Sequence, residues 1–201
     1  MRILYVMATE LEYGPHLRRR IAPLICGVGP VEAAVTVAAE LARRQATGAA
    51  PRLVVSLGSA GSRTLVQTEV YQASTVTYRD MDASALGFPR GQTPFLDLAP
   101  ELPVGPQLAG VPQARLSTGA SVVSGAAYGA IDADMVDMET YAILRACQRH
   151  GIPLLALRGI SDGAEDLRQL KDWTQYLEVI DAKLAALVDR IEDEVAKGRF
   201  P

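Results

Sequence analysis

Four groups of polar residues in this chain sit where an apolar run ends: Glu10 with Glu12, Ser59 within Gly58-Ser59-Ala60-Gly61, Met138 with Glu139, and Arg158 with Asp162. A carboxyl group held against apolar walls has a raised pKa and can donate a proton near neutral pH, which gives Asp162 one reading. The other is that Ser161 or Asp162 caps a turn or helix. Glu139 stands where a helix begins, and the macrodipole favours an acidic side chain there. Alternatively, it accepts hydrogen bonds from two sugar hydroxyls, with Met138 packed against the ring. The glycines around Ser59 suit a tight strand-to-loop turn, or backbone N–H groups set against a ribose or an anion. Glu12, read alone, has only its place after a strand to distinguish it from a surface glutamate. Gly27-Val28-Gly29 before a helix resembles part of a dinucleotide-binding turn, but the third glycine and the later acidic residue are missing.

The elements that position these groups alternate between short apolar runs and helical patterns, the mark of an α/β fold with helices on both faces of a parallel or mixed sheet. Strands are expected at 3–7, 21–26, 53–57, 69–78 and 154–160, with shorter pieces at 115–117 and 122–123. Helices are expected at 11–20, 31–44 (Pro30 in its first turn), 140–150 and, as one long amphipathic element, 173–196. Gly58 to Gly61 reads as the turn that ends the third strand. Residues 79–112 lose all periodicity and are punctuated by proline and glycine, as in a functional loop or an interface arm. In open α/β sheets ligands gather at the carboxyl ends of strands, where the four groups fall.

Composition narrows the partners. The 201 residues fit one domain, 1–201, and a hydrophobic fraction of 49% supplies a large core. A net charge of −3 argues against nucleic acid or an anionic membrane as partner. Cys26 and Cys147 lie in apolar stretches and read as buried free thiols, which suits a reducing, cytoplasmic setting. The start lacks a signal-peptide pattern, and no apolar stretch is long enough to span a bilayer. His16, His150 and the two cysteines have no metal-ligand spacing, so neither metal nor cofactor is expected.

Taken together, the carboxylates fit one reaction. Loss of a purine from ribose passes through an oxocarbenium-like sugar, and the base must not leave as a full anion. That chemistry needs an acid at the base, a carboxylate near the sugar and a second carboxylate to activate water. Asp162, Glu139 and Glu12 can fill these three places.

The order of the motifs then resembles a known family. Met7-Ala8-Thr9-Glu10-Leu11-Glu12, Gly58-Ser59-Ala60-Gly61, Tyr78-Arg79-Asp80-Met81-Asp82, Gly91-Gln92-Thr93-Pro94, Val136-Asp137-Met138-Glu139 and Arg158-Gly159-Ile160-Ser161-Asp162 are similar, in sequence order over most of the chain, to the bacterial 5′-methylthioadenosine/S-adenosylhomocysteine nucleosidases. The resemblance implies a nucleoside phosphorylase-like three-layer fold, a central mixed sheet flanked by helices, in a homodimer. It implies that Asp162 protonates N7 of adenine and that Glu12 is the base acting on water. Glu139 then holds the ribose hydroxyls, Met138 lies under the sugar, and Ser59, Arg158 and Ser161 belong to the substrate site. Leu86, Phe88 and Pro94 fall on the arm that reaches a neighbouring subunit's 5′-pocket. Two departures accompany it. Only residues 20–26 stand where the family has a β-hairpin. Val122 and Val123, in Gly119-Ala120-Ser121-Val122-Val123, stand where it has a stacking aromatic. Hydrolysis of 5′-methylthioadenosine or a related 5′-substituted adenosine is the leading expectation. Its rivals are a phosphorylase of the same fold, a hydrolase of a futalosine-like nucleoside, and a nucleoside-binding homologue without turnover. Glu12 favours water over phosphate, because a carboxylate base repels an incoming anion.

Overall fold

A computed structural model describes residues 3–163 and 165–200. The first strand, β1 (Ile3–Met7), is apolar throughout because helices cover both of its faces. Leu4 and Val6 point into one core cluster, Tyr5 and Met7 into another. β3 (Leu53–Gly61) and β8 (Leu154–Asp162) repeat the pattern: Val54 and Leu154 turn to the first cluster, Val55 and Leu155 to the second. The first cluster is roofed by α2 (Pro30–Ala46) and α3 (Thr140–His150), through Ala33, Val37, Leu41, Ile143 and Cys147. The second is roofed by α5 (Leu177–Ala196), whose Ile180, Leu184, Val188, Ile191 and Val195 form one stripe at helical spacing.

The remaining strands are β2 (Leu24–Ile25), β4 (Val70–Tyr78), β5 (Glu101–Pro103), β6 (Gln113–Thr118) and β7 (Met135–Asp137). The sheet runs β2-β1-β3-β7-β6-β4-β5, and β8 bridges β3 and β4. β3 and β8 pair in parallel from Val54↔Leu154 to Ala60↔Ile160, with a register shift between Ala60 and Gly61. β8 pairs antiparallel with β4, and β3 meets β7 antiparallel at Gly61↔Val136. The mixed sheet therefore closes on itself through β3, β7, β6, β4 and β8, and its strand ends converge at one place.

Several expectations are corrected. The helix expected over 11–20 shrinks to α1 (Pro15–Arg18), because Pro15 has no N–H and Gly14 is extended. Glu10 to Glu12 instead form a tight turn. The strand expected over 21–26 is only β2, since Pro23 interrupts pairing and the Ile21 N–H returns to the Leu17 carbonyl. Gly58 to Gly61 is not a turn but the end of β3. Residues 122–123 are loop rather than strand. The long final helix is two: α4 (Leu170–Thr174), opened by a reciprocal Gln169/Asp172 capping box, and α5 after a break at Gln175 and Tyr176. The segment 79–112 is irregular as expected, apart from β5 and a short 3-10 turn at Ser84–Leu86. No helix among the described residues is long and apolar enough to cross a membrane.

Candidate active site

A cavity of about 420 Å³ opens where the strand ends converge, large enough for a small-molecule ligand. Ala8, Thr9 and Glu12 enter it after β1, Ser59 to Gly61 at the end of β3, Arg79 after β4, and Ser121 to Val123 after β6. Val136 and Asp137 come from β7, Met138 and Glu139 from the turn into α3, Asp162 from the end of β8, and Leu167 to Leu170 with Trp173 close the remaining side. A second, much smaller cavity of about 10 Å³ lies behind it between Glu12, Glu139, Ser56 and Arg158, the size of roughly one water molecule.

Glu12 is buried, and its Oε1 accepts from both the Ser59 N–H and the Ser59 hydroxyl, each at 2.7 Å. The glycine at 58 makes this possible, since a Cβ there would sit 3.2 Å from Oε1 and 3.3 Å from Oε2. The Ser59 backbone N–H, expected to face a ribose or an anion, is instead taken by Glu12. Burial raises the Glu12 pKa, opposed by the two Ser59 hydrogen bonds and the Arg158 charge.

Glu139 and Asp137 divide the work of a helix start between them. Asp137 caps α3: its Oδ2 accepts from the Thr140 N–H and hydroxyl, while Oδ1 accepts from the Thr118 hydroxyl. The same Oδ2 is paired with Arg158 at 3.0 Å in a fully buried ion pair. Glu139, at the N-cap position, makes no capping bond; its Oε1 accepts instead from the Gly29 N–H at 2.8 Å. The capping reading therefore belongs to Asp137, and Glu139 is left facing the cavity. Burial, reinforced by the Asp137 charge, pushes its carboxyl up to about 7 against the Gly29 hydrogen bond and the Arg158 charge.

Asp162 ends β8 with its Oδ1 accepting from the Ser161 hydroxyl at 2.5 Å. Burial raises its pKa and the Ser161 bond opposes the rise. On its other side, a Cβ at Gly61 would strike the Tyr128 hydroxyl and lie 2.8 Å from Oδ2. Both glycines of β3 are there for the close approach of a carboxylate, not for a turn.

The expected site residues separate into three groups. Glu12, Ser59, Met138, Glu139, Asp162, Val122 and Val123 line the main cavity. Ser161 and Arg158 stand behind it. Ser161 holds Asp162, while Arg158 spends its guanidinium on Asp137, Ser56, Thr140 and the Leu157 carbonyl. Leu86, Phe88 and Pro94 do not reach the cavity of their own chain; Leu86 lies exposed, and Phe88 packs edge-on against Phe95. Three contributors were not anticipated. Trp173 lines the cavity and donates from Nε1 to the Ser59 hydroxyl at 2.9 Å. Arg79 grips the carbonyls of Ser117, Gly119, Ser121 and Asp137, fixing the loop that carries Val122. Asp137 organises the inner wall. Arg79 lies in the Tyr78-Arg79-Asp80-Met81-Asp82 motif and Asp137 in Val136-Asp137-Met138-Glu139, whereas nothing near Trp173 marks it as other than a core aromatic.

The profile of the Phosphorylase superfamily matches residues 117–191. A 5′-methylthioadenosine/S-adenosylhomocysteine nucleosidase of Haemophilus influenzae (strain PittGG) is 30% identical over 164 residues, 72% of this chain and 69% of that protein. Among solved structures, the 5′-methylthioadenosine/S-adenosyl homocysteine nucleosidase of Helicobacter pylori superposes with a TM-score of 0.79 at 21% identity, over 96% of this chain and 97% of the other. A futalosine hydrolase mutant of the same species gives 0.79 at 20%, over 96% and 98%.

Proposed function

Since this chain belongs to the 5′-methylthioadenosine/S-adenosylhomocysteine nucleosidase family, we propose that it hydrolyses the N-glycosidic bond of 5′-methylthioadenosine or a related 5′-substituted adenosine, releasing adenine. The carrying observation is the set of three carboxyl groups around one cavity, each held by a local donor and each raised by burial. Asp162 is the acid: it passes its proton to N7 of the purine as the C1′–N9 bond breaks, so the base departs neutral. Glu139 accepts from the ribose 2′- and 3′-hydroxyls, and those donors favour its ionised form. Met138 supports the sugar ring. Glu12 takes a proton from the water whose oxygen bonds to C1′. Solvent then returns Glu12 and Asp162 to their starting states, so the reaction consumes water alone and needs no cofactor. Arg158 and Ser161 act one step back, on Asp137 and Asp162. Asp162→Asn should lower adenine release about a hundredfold or more, the usual scale of general acid catalysis, with the fold intact by circular dichroism. An unchanged kcat would remove Asp162 from this role. The panel of nucleosides should include adenosine, 5′-methylthioadenosine and a futalosine-type nucleoside, because the 5′-group separates the hydrolase readings.

The same reading makes the working unit a cytoplasmic homodimer of single-domain subunits. Its support is exposed apolar surface in two places: Val28 on the cavity wall with Val31 (70% exposed) and Val35 one helical turn on, and the arm with Leu86 and Phe95 (92% exposed). In the proposed dimer a second copy covers these residues, and the arm brings Leu86, Phe88 and Pro94 to its neighbour's cavity. Both cysteines are free and buried, which fits a reducing compartment. Sedimentation should give a dimer, and a stable, fully active monomer would contradict it.

A further inference from the structure

We infer that Trp173 is a positioning residue for Glu12, acting through Ser59 to decide which carboxylate oxygen receives the proton from water. The inference rests on the proposal that Glu12 is the base. An indole N–H donates and cannot accept. With Trp173 Nε1 at 2.9 Å from Ser59 Oγ, that oxygen must be the acceptor, and the only proton Ser59 can offer elsewhere goes to Glu12 Oε1 at 2.7 Å. The Ser59 backbone N–H reaches the same Oε1, also at 2.7 Å. One oxygen of Glu12 therefore receives two donors. Oε2 receives no hydrogen bond from any described residue, and it is the oxygen left to bind and deprotonate water. The direction of the chain Trp173→Ser59→Glu12 is fixed by the chemistry of its first member; a hydroxyl in place of the indole could accept from Ser59 as well as donate, and the Ser59 proton would no longer be committed to Glu12.

The indole is well placed to hold this direction. It packs, partly buried, against the core cluster beneath α5, and it sits on α4 directly after Leu167 to Leu170, which form one wall of the cavity. The break between α4 and α5 is what turns Trp173 toward Ser59 while Leu177 and Ile180 face the sheet.

Trp173→Phe keeps an aromatic ring and removes the donor. Its kcat should fall about fivefold, the worth of one neutral hydrogen bond, with KM little changed. The acid limb of the kcat–pH profile should move to higher pH, because the ionised form of Glu12 loses support. In a Ser59→Ala background the same substitution should add almost nothing, since the relay is already cut. Trp173 is the only tryptophan of the chain, so its emission offers a readout independent of turnover and of how well Trp173→Phe folds. Emission of the wild type should titrate with the same midpoint as the acid limb, and this titration should vanish in Glu12→Gln and in Ser59→Ala. Equal losses from Trp173→Phe in both backgrounds with an unmoved pH profile, or emission that ignores Glu12, would overturn the inference. Full turnover by Glu12→Gln would instead overturn the assignment of the base, whatever the emission does.

Discussion

At the inner end of the cavity the polar groups have fixed partners: Asp137 is held by Thr118, Thr140 and Arg158, Glu12 twice by Ser59, and Glu139 by Gly29. At the mouth Val122 and Leu170 stand in solvent, as do Leu86 and Phe95 on the arm outside the cavity. The inner groups lie on β3, β7 and β8, or against them, and are buried between two apolar clusters, where an unpartnered charge is expensive. The mouth is built from chain that follows strands rather than from strands. On the proposed reading the difference separates two tasks: bond cleavage uses fixed charges in a dry place, while recognition of the 5′-group falls to surfaces that the proposed second copy would complete.

Removing an inner partner should have the largest effect. Asp137→Ala leaves the Arg158 guanidinium buried without its ion pair and strips the cap from α3. A loss of about 3–5 kcal/mol of folding stability is expected for breaking such a pair, readable as a lowered denaturation midpoint. A loss below about 1 kcal/mol, the range of exposed pairs, would mean the inner end is no better held than the surface.

Glu139→Gln should act in the opposite direction on stability. The folded carboxyl titrates near 7, above its ordinary value of 4.5, because burial disfavours the charge. Below the ordinary value both folded and unfolded chains carry it neutral, and the wild type loses nothing. Between about 4.5 and about 7 the unfolded chain gives up this proton while the folded chain keeps it, and stability falls; above about 7 both are ionised and the loss is complete. The glutamine variant should therefore melt a few degrees higher than wild type at pH 8, with a difference near zero at pH 4, and it should turn over poorly. A gain of the same size at both pH values would point to packing rather than charge.

The smallest effect should come from the mouth. Val122→Phe offers the purine a ring to stack on, worth roughly 0.5–1.5 kcal/mol beyond area burial, and Val122 is exposed enough to accept the larger side chain. Calorimetric titration should show adenine binding more tightly to the variant, with hypoxanthine still disfavoured by both proteins. Equal affinity of the wild type for the two bases would mean that hydrogen bonding to the purine edge does not select the base.

The same division governs what could be read from the chain. β1 and α3 fall where the apolar runs place them, and β8 extends its run by only two residues, because strands covered on both faces are continuously apolar and α3 has a clear stripe. Glu12 and Asp162 were legible because each follows such a strand, and Glu139 because it opens the helix seen as α3. Gly58 and Gly61 misled because glycine marks a turn and a close contact alike, and only the carboxylates opposite them tell which. Pro15 and Pro23 shortened the elements around them more than their neighbours' hydrophobicity suggested. Neither Gln175 nor Tyr176 is a helix breaker, so the split between α4 and α5 is a tertiary effect, and with it went the chance of seeing Trp173 at the site.

The most direct test of the account is the identity of the sugar product. The protein is incubated with 5′-methylthioadenosine in saturating inorganic phosphate, and the products are weighed by mass spectrometry. Adenine and free 5-methylthioribose in equal amounts, at a rate that phosphate does not raise, is the predicted result. A sugar 1-phosphate, or no adenine from any nucleoside of the panel, would contradict it.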